Sequence, residues 1–273
     1  MNRIELKARA KGYMHHSKPS PVLVAIVYII LVAVMSFLSY KLVSEPIEDA
    51  MSKYFEPYMD FDFNLNDYDR FSYNYDFEKM LDPEGFANAI LEAMPGPTAA
   101  FLDLLIQILS VIVGAGFTIF CLNTVRGREA SVWNLLDGFS MFLRIIWLHI
   151  LEVIFIFLWS LLLIIPGIIA AYRYRMALYL LVEHPEMSAM DCINESKRLM
   201  VGHKWELFVV DLSFLGWAIL VGFVNGIGSA MGIILLGQLV NIWFVPFYQL
   251  TLAEYYTQRS AEAPRQHSWD PVF

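Results

Sequence analysis

The residues with the clearest chemical potential are charged side chains inside apolar segments. Arg173 and Arg175 lie in the apolar run that follows Pro166-Gly167, and Asp103 lies near the start of another apolar run. At ~1.5 Å per helical residue, Arg173 and Asp103 would lie roughly 10 Å below the same membrane boundary. An unpaired charge inside a bilayer costs ~2.5–3.5 kcal/mol or more. We therefore expect Asp103 to pair with Arg173 or with Arg175.

These charges have two possible roles. A structural ion pair between helices is the favoured interpretation, because intramembrane charges also stabilise packing. The alternative is a ligand site, in which Arg173 and Arg175 hold an anionic headgroup or a carboxylate through parallel hydrogen bonds. The two arginines are about 200° apart around a helix, so one carboxylate is not expected to serve both.

A second set of polar residues lies in the inner half of the predicted membrane region. It consists of His149, Glu152, Glu183 and Asp211. A histidine with two or three carboxylates can bind a metal. However, the chain has no HExxH motif, no G-x-S-x-G motif and no P-loop motif. We therefore predict hydrogen-bonded structural residues here, with no catalytic residue, no metal and no other cofactor.

The composition indicates what positions these side chains. The chain of 273 residues is 58% hydrophobic and 17% charged, whereas a soluble domain is ~45–50% apolar and ~25% charged. The apolar residues are concentrated in runs of about 20, the length that crosses a bilayer. The predicted fold class is all-α: a polytopic membrane helical bundle of about six transmembrane helices, with one long acidic extracytoplasmic loop.

The first predicted span covers residues 21–42, and a five-span membrane bundle covers residues 98–256. Pro166-Gly167 must interrupt the bundle, because an unbroken helix over residues 142–182 would be roughly 60 Å long, twice the hydrocarbon thickness. We predict a tight outer hairpin at this pair, and the alternative is a re-entrant turn. Residues 188–201 predict a cytoplasmic amphipathic helix that begins at a capping box.

Charge patterning sets the predicted orientation. Residues 1–20 are basic and precede the first span, which places the N-terminus in the cytoplasm. Residues 257–273 then form a cytoplasmic tail. Between residues 44 and 95 there are 13 acidic and 3 basic side chains, which gives this segment a net charge of −10. The whole chain has a net charge of −8, so the remaining residues are slightly basic. This places the acidic loop, residues 43–97, outside the cytoplasm.

The acidic loop carries a polar–apolar alternation at residues 60–66, which is the period of a β-strand. The same stretch partly matches a calcium loop, but it lacks the glycine and the final glutamate of an EF-hand. We interpret the segment as a solvated acidic loop packed by its own aromatic residues. Binding of a cation or a partner is the alternative.

Two further observations limit the class of protein. Cys121 and Cys192 are isolated, which gives neither a disulfide framework nor a zinc pattern, and we interpret both as structural. The chain has no basic patch of useful size, so nucleic-acid binding is not expected.

The second half of the chain carries a family likeness at Pro166, Gly167, Arg173, Glu195, Ser196, Arg198, Leu199 and Gly202, with further matches at His203, Lys204, Asp211, Leu212, Ser213, Gly216 and Trp217. With all of these residues it resembles a family of bacterial integral membrane proteins of unknown function (domain of unknown function 975). With the first eight it is also distantly similar to the membrane domain of some glycerophosphoryl diester phosphodiesterases. The resemblance implies a membrane fold. It does not imply phosphodiesterase activity, because that catalytic domain is a separate soluble barrel.

The predicted function is therefore a non-enzymatic accessory or scaffold protein of the bacterial cell envelope, located in the cytoplasmic membrane with both termini inside. Its predicted partners are membrane lipids and another membrane protein or a transporter. One alternative is a small permease or lipid-handling protein that binds an anionic group through Arg173, Arg175 and Asp103. Another is a membrane-embedded metal-dependent hydrolase.

Overall fold

The computed structural model describes residues 3–59, 82–230 and 236–262. All regular structure in these ranges is helical, which confirms the predicted all-α fold. The strand-like alternation at residues 60–66 lies outside the described residues.

Thirteen α-helices are described in these ranges, numbered here in chain order. They are α1 (Arg3–His16), α2 (Pro21–Ser39), α3 (Glu45–Met59), α4 (Pro83–Ala93), α5 (Pro97–Val125), α6 (Asn134–Asp137), α7 (Phe142–Leu162), α8 (Ile164–Tyr174), α9 (Ala177–Glu183), α10 (Ala189–Leu199), α11 (Lys204–Leu212), α12 (Leu215–Ala230) and α13 (Leu236–Glu262). A π-helical stretch (Tyr40–Ser44) follows α2, and a 3₁₀ stretch (Gly138–Met141) follows α6.

Among the described residues, five helical stretches are long and apolar enough to cross a membrane. They are Pro21–Glu56, Pro97–Val125, Asn134–Leu162, Ile164–Glu183 and Lys204–Val224. These stretches overlap the first five predicted spans. The sixth predicted span falls mostly in α13, whose 27 residues correspond to about 40 Å of helix. The helix α13 is not one of the five, so its crossing stays a prediction.

The chain divides into two compact units, residues 1–31 with 110–273 and residues 32–109. In the first unit the core surrounds the C-terminal part of α13. This helix is buried around its whole circumference from Leu250 to Tyr256. The helix α1 packs against α13, and its buried stripe consists of Leu6, Ala10 and Met14. That spacing of four residues places all three side chains on one helical face.

The second unit contains a short helical pair, α3 and α4. The side chain of Asp82 accepts hydrogen bonds from the backbone N–H groups of Glu84 and Gly85, with Pro83 at the first helical position. This is the N-terminal signature that Asp82-Pro83-Glu84 predicts. The rings of Tyr54 and Phe86 then make an edge contact between α3 and α4, with centroids 5.7 Å apart.

The turn between α7 and α8 lies three residues earlier than predicted. The chain reverses at Leu163, the only residue between the two helices, which has an extended backbone (φ −164°, ψ 150°). Pro166 lies in the first turn of α8, where its missing N–H leaves no intrahelical bond unmade. Gly167 allows the close approach: a Cβ atom at this position would lie 2.9 Å from Ser160 Cβ on α7.

The fourth and fifth spanning stretches are both interrupted. Arg175 and Met176 separate α8 from α9, and Ser213 and Phe214 separate α11 from α12. An interrupted helix in a membrane protein must satisfy its freed backbone groups with other parts of the protein. At these two interruptions, polar side chains are therefore needed as hydrogen-bond partners for the backbone.

Candidate functional site

The side chain of Ser196 on α10 bridges the first interruption. Its hydroxyl donates a hydrogen bond to the backbone carbonyl of Arg173 (2.8 Å) and accepts one from the backbone N–H of Met176 (3.2 Å). Ser196 is fully buried, so both bonds are shielded from water. The end of α8 and the start of α9 are thereby joined through α10. This helix begins at Ser188 with the predicted capping box, with Asp191 as its partner.

Arg175, which lies between α8 and α9, is the first donor in a chain of hydrogen bonds. Its Nη2 atom donates to the hydroxyl of Tyr248 (2.6 Å), and that hydroxyl donates to Oδ1 of Asp211 (2.9 Å). The hydroxyl of Tyr172 donates to Oδ2 of Asp211 (3.0 Å). Both carboxylate oxygens of Asp211 therefore have a partner. The chain ties α8, α11 and α13 together beside both interruptions.

Arg173 has a different environment, as the predicted separation around the helix requires. Its side chain is half-buried. Within its own unit, the described residues provide no hydrogen bond or ion pair to its guanidinium group. The backbone carbonyl, in contrast, accepts the bond from Ser196.

A second cation, Lys197 on α10, follows Ser196, whose hydroxyl donates to the backbone carbonyl of Arg173. Its Nζ atom is 5.6 Å from the ring centroid of Phe155 and 5.5 Å from that of Tyr174, and it donates to the side-chain oxygen of Asn194 (3.1 Å). Burial, and then the nearby positive charge of Arg173, lower the pKa of Lys197 below its usual 10.5. A neighbouring carboxylate would raise this pKa. Arg173 and Lys197 are referred to below as the cationic pair, and the rings of Phe155 and Tyr174 lie beside Lys197.

The third residue of the predicted ligand site, Asp103, lies in the other unit. It accepts a hydrogen bond from the hydroxyl of Ser39 (2.5 Å), which in turn accepts one from the side-chain amide of Gln107 (3.3 Å). An ion pair between Asp103 and Arg173 or Arg175 would connect the two units, and it stays a prediction.

The four residues of the predicted inner polar set occupy separate environments. His149 pairs with Glu152 (3.8 Å), while Asp211 belongs to the tyrosine–arginine chain. Glu183 accepts from Arg126 (2.9 Å to Oε2) and from the hydroxyl of Tyr256 (2.7 Å to Oε2). Among the described residues, no group of three or more histidine, cysteine, aspartate or glutamate side chains is placed to hold a metal ion. The structure does not bring the predicted set together.

The C-terminal part of α13 carries buried charges that the sequence analysis did not single out. Glu254 is 3% exposed and accepts from Arg9 (3.2 Å) and from the hydroxyl of Tyr13 (3.1 Å), both on α1. Arg259 is 7% exposed and pairs with Glu206 (2.7 Å). The basic N-terminal segment gave no indication of these pairs, because its charges also fit the positive-inside pattern.

Lys7 on α1 provides a hydrogen-bond donor at the second interruption, between α11 and α12. Its Nζ atom donates to the backbone carbonyl of Ser213 (3.0 Å) and lies 3.8 Å from the ring centroid of Phe214. Burial is the main cause that lowers the pKa of Lys7. Each interrupted span is thus held by a side chain from a different helix, Ser196 from α10 and Lys7 from α1.

Both cysteines are free and buried. Burial raises the pKa of Cys192 to about 11, so its thiol stays protonated near neutral pH and is a poor nucleophile. This environment suits the packing role predicted for it.

Comparison with known proteins confirms the predicted resemblance over residues 160–262. This segment matches the family model described as "Protein of unknown function (DUF975)". It includes both interruptions, Ser196, the cationic pair and the buried part of α13. The comparison does not show the predicted similarity to glycerophosphoryl diester phosphodiesterases. At the significance required of a match, no curated protein and no solved structure matches the chain.

Proposed function

We propose that the DUF975 segment and the helices before it form a non-enzymatic protein of the bacterial cell envelope that binds anionic lipid headgroups at Arg173 and Lys197. The protein lies in the cytoplasmic membrane with both termini in the cytoplasm. It acts as an accessory or scaffold protein for another membrane protein or a transporter. It performs this role with an anionic lipid bound.

One observation carries the proposal: Arg173 and Lys197 meet where α8 contacts α10, since Ser196, the residue before Lys197, donates to the carbonyl of Arg173 (2.8 Å). Among the described residues of this unit, neither cation has a carboxylate partner. Two like charges in a partly buried site repel each other, so the pair costs free energy in the empty protein. A phosphate group between them would remove that cost. Arginine suits this role because its guanidinium group forms two parallel hydrogen bonds to phosphate oxygens.

The surroundings of the pair favour a lipid as the source of the phosphate. Phe155, which contacts Lys197, lies on α7. Its neighbours Ile154 and Leu158 are exposed, as are Phe157 (63%) and Leu161 (74%) further along the same helix. Acyl chains lying against this apolar face would leave their headgroup phosphate within reach of the two cations.

The carboxylates that a membrane hydrolase would need are already engaged. Asp211 accepts from Tyr172 and Tyr248, and Glu183 accepts from Arg126 and Tyr256. Carboxylates held by several donors stabilise the arrangement around them and are poorly placed to act as a base. These contacts support a binding role over a catalytic one.

The test is a lipid titration of the purified full-length protein, followed by native mass spectrometry. Phosphatidylglycerol is expected to bind more tightly than phosphatidylcholine. The variants Arg173→Gln and Lys197→Gln should each weaken phosphatidylglycerol binding about tenfold, the effect of losing one charge-assisted contact. Inorganic phosphate should not displace the lipid, which separates a headgroup site from a site for free phosphate.

Arg198→Gln is the matched control. Arg198 is adjacent to Lys197 in the sequence, but it is exposed and pairs with Glu195 (3.3 Å). This variant should bind phosphatidylglycerol as the unmodified protein does. Equal binding by the unmodified protein, Arg173→Gln and Lys197→Gln would overturn the proposal, and so would an equal loss in all three variants.

A further inference from the structure

Arg175 is a cation that the proposed lipid site does not use. It lies near the middle of the apolar stretch Ile164–Glu183, which is long enough to cross a membrane, and its side chain is exposed. It contacts α13 through Tyr248, whereas Arg173 contacts α10 through its backbone carbonyl. The two arginines therefore have different surroundings.

The guanidinium group of Arg175 is held in place without being neutralised by direct contact. Its Nη2 atom donates to the hydroxyl of Tyr248 (2.6 Å). In the part of the chain that the structure describes, this hydroxyl is its hydrogen-bond partner, and no carboxylate contacts it. A guanidinium group has five N–H donors in a planar fork, so at least one edge with two parallel donors stays open.

The partner of Arg175 is itself fixed. The hydroxyl of Tyr248 donates to Oδ1 of Asp211 (2.9 Å), and Oδ2 of Asp211 accepts from Tyr172 (3.0 Å). Both oxygens of this carboxylate are therefore engaged, and they orient the hydroxyl that accepts from Arg175. A charge at this depth is costly unless it meets a partner or water. The network presents a positioned cation whose open edge suits an anionic ligand.

The residues around this network are aromatic. The ring of Tyr248 stacks on that of Phe244, with centroids 6.0 Å apart. The ring of Tyr172 makes an edge contact with Phe208 (6.0 Å), which stacks on Trp205 (5.0 Å). Trp205 is 71% exposed, and the other four rings are partly exposed. A ligand at Arg175 therefore has apolar surface beside its charged group.

The local charges favour a ligand with a single negative charge. The carboxylate of Asp211 lies behind Tyr248, and its negative charge opposes a doubly charged anion such as a phosphate monoester. A carboxylate has one negative charge and two oxygens in a plane. These oxygens match two parallel N–H groups on one edge of a guanidinium group.

We propose that Arg175 binds the carboxylate of a small apolar acid. The open edge of the guanidinium group donates two hydrogen bonds to the carboxylate, and the apolar part of the acid lies against the rings of Tyr172 and Tyr248. Tyr248 and Asp211 are positioning residues, because they hold Arg175 and do not contact the ligand's charge. This site is separate from the cationic pair and takes a different class of ligand.

The test measures how well small molecules protect Arg175 in the purified full-length protein from phenylglyoxal, which modifies accessible guanidinium groups. Mass spectrometry of the peptides locates each modified arginine. Benzoate should protect Arg175 at about a tenfold lower concentration than acetate, because its ring also contacts apolar surface. Benzamide, which has the same shape and no charge, should not protect it. Arg198 is exposed and pairs with Glu195, and its modification should not respond to benzoate.

Two variants test the positioning of the cation. Tyr248→Phe removes the hydroxyl that holds Arg175 and should raise the benzoate concentration needed for protection about tenfold, the effect of one hydrogen bond to a charged group. Tyr13→Phe is the matched control, because the hydroxyl of Tyr13 donates to Glu254 and not to this network. It should leave protection unchanged. The comparison of benzoate with benzamide uses the unmodified protein, so it does not depend on the folding of a variant.

Equal protection by benzoate and benzamide would overturn the proposal, as would an Arg175 that phenylglyoxal does not modify. Protection by inorganic phosphate at a lower concentration than by benzoate would overturn the assignment to a carboxylate. An equal response of Tyr248→Phe and Tyr13→Phe would overturn the positioning role of Tyr248. None of these outcomes affects the proposed role of Arg173 and Lys197, which is tested with lipids and with other variants.

Discussion

Two charged regions of the first unit differ in how their charges are satisfied. At the C-terminal end of α13, Glu254 and Arg259 are almost fully buried, and each contacts an oppositely charged side chain. At the junction of α8 and α10, Arg173 and Lys197 flank the hydrogen bond from Ser196 to the carbonyl of Arg173, and the part of this unit that the structure describes provides no carboxylate partner for either cation. One region contains closed ion pairs, and the other contains an unmatched pair of like charges.

The difference separates structural charges from charges available for binding. Removing one partner of a buried pair leaves an uncompensated charge, so the α13 region should control stability. A partly exposed pair of like charges contributes little to stability, but it provides free energy for binding an anion. The predictions below test this division, beginning with the largest expected effect.

Glu183→Gln should have the largest effect on stability. The carboxylate contacts Arg126 at 2.7 Å and Tyr256 at 2.7 Å, and its loss leaves the half-buried Arg126 uncompensated. We expect the free energy of unfolding to fall by ~3–5 kcal/mol, measured by denaturant titration in mixed micelles. Glu186→Gln is the control, because Glu186 is 65% exposed and pairs with His184; its effect should stay within about 0.5 kcal/mol. Similar values for the two variants would contradict the structural assignment.

Ser196→Ala should have the next largest effect. Without the hydroxyl, the buried N–H of Met176 and the carbonyl of Arg173 lose their partner. The expected loss is ~1–3 kcal/mol in the free energy of unfolding, with faster hydrogen exchange at Met176. Ser140→Ala removes an exposed hydroxyl that donates to Asp137, and it should leave both measurements unchanged. Unaltered exchange at Met176 in Ser196→Ala would show that the bridge does not hold the interruption.

Gly167→Ala should destabilise the turn between α7 and α8. The added Cβ would overlap Ser160 Oγ and lie 3.0 Å from Ser160 Cα, and overpacking of this kind costs ~1–3 kcal/mol. Gly222→Ala, where no atom lies within 4 Å of the added Cβ, should not reduce the free energy of unfolding. Adding Ser160→Gly to Gly167→Ala should restore part of the loss, and the absence of any recovery would locate the strain elsewhere.

The smallest effect concerns the ionisation of Lys197. Its pKa in the folded protein is below 10.5, so the unfolded chain binds this proton more tightly. Its contribution to stability therefore rises with pH through the folded pKa toward 10.5. Arg173→Gln should raise the pKa of Lys197, which lowers its reactivity toward an amine reagent at fixed alkaline pH. Arg198→Gln should change this reactivity less, and an equal change would show that Arg173 is not the nearby charge.

The sequence predicted the helical architecture because apolar runs of about 20 residues have few other solutions in a bilayer. It also located one local feature, the start of α10, from the capping box at Ser188. It placed the turn at Pro166-Gly167, whereas the chain reverses at Leu163. Proline is compatible with the first turn of a helix, so its presence does not distinguish a turn from a helix start.

The pairing of charges depended on tertiary structure. Depth along the membrane grouped His149, Glu152, Glu183 and Asp211, but depth does not fix the direction in which a side chain points from its helix. Glu183 faces Arg126 and Tyr256, and Asp211 faces two tyrosines. Successive side chains of a helix point about 100° apart, so two residues at similar depth can face different neighbours.

The amino-acid sequence by itself determined that this protein is helical and built for a membrane, because hydrophobicity and the need to satisfy every backbone group act locally along the chain. Only the tertiary structure decided that Ser196 and Lys7 support the interrupted helices, that Glu254 and Arg259 are buried in ion pairs, and that Arg173 and Lys197 meet where α8 contacts α10. These contacts join residues far apart in the chain, and their geometry is set by how the helices pack.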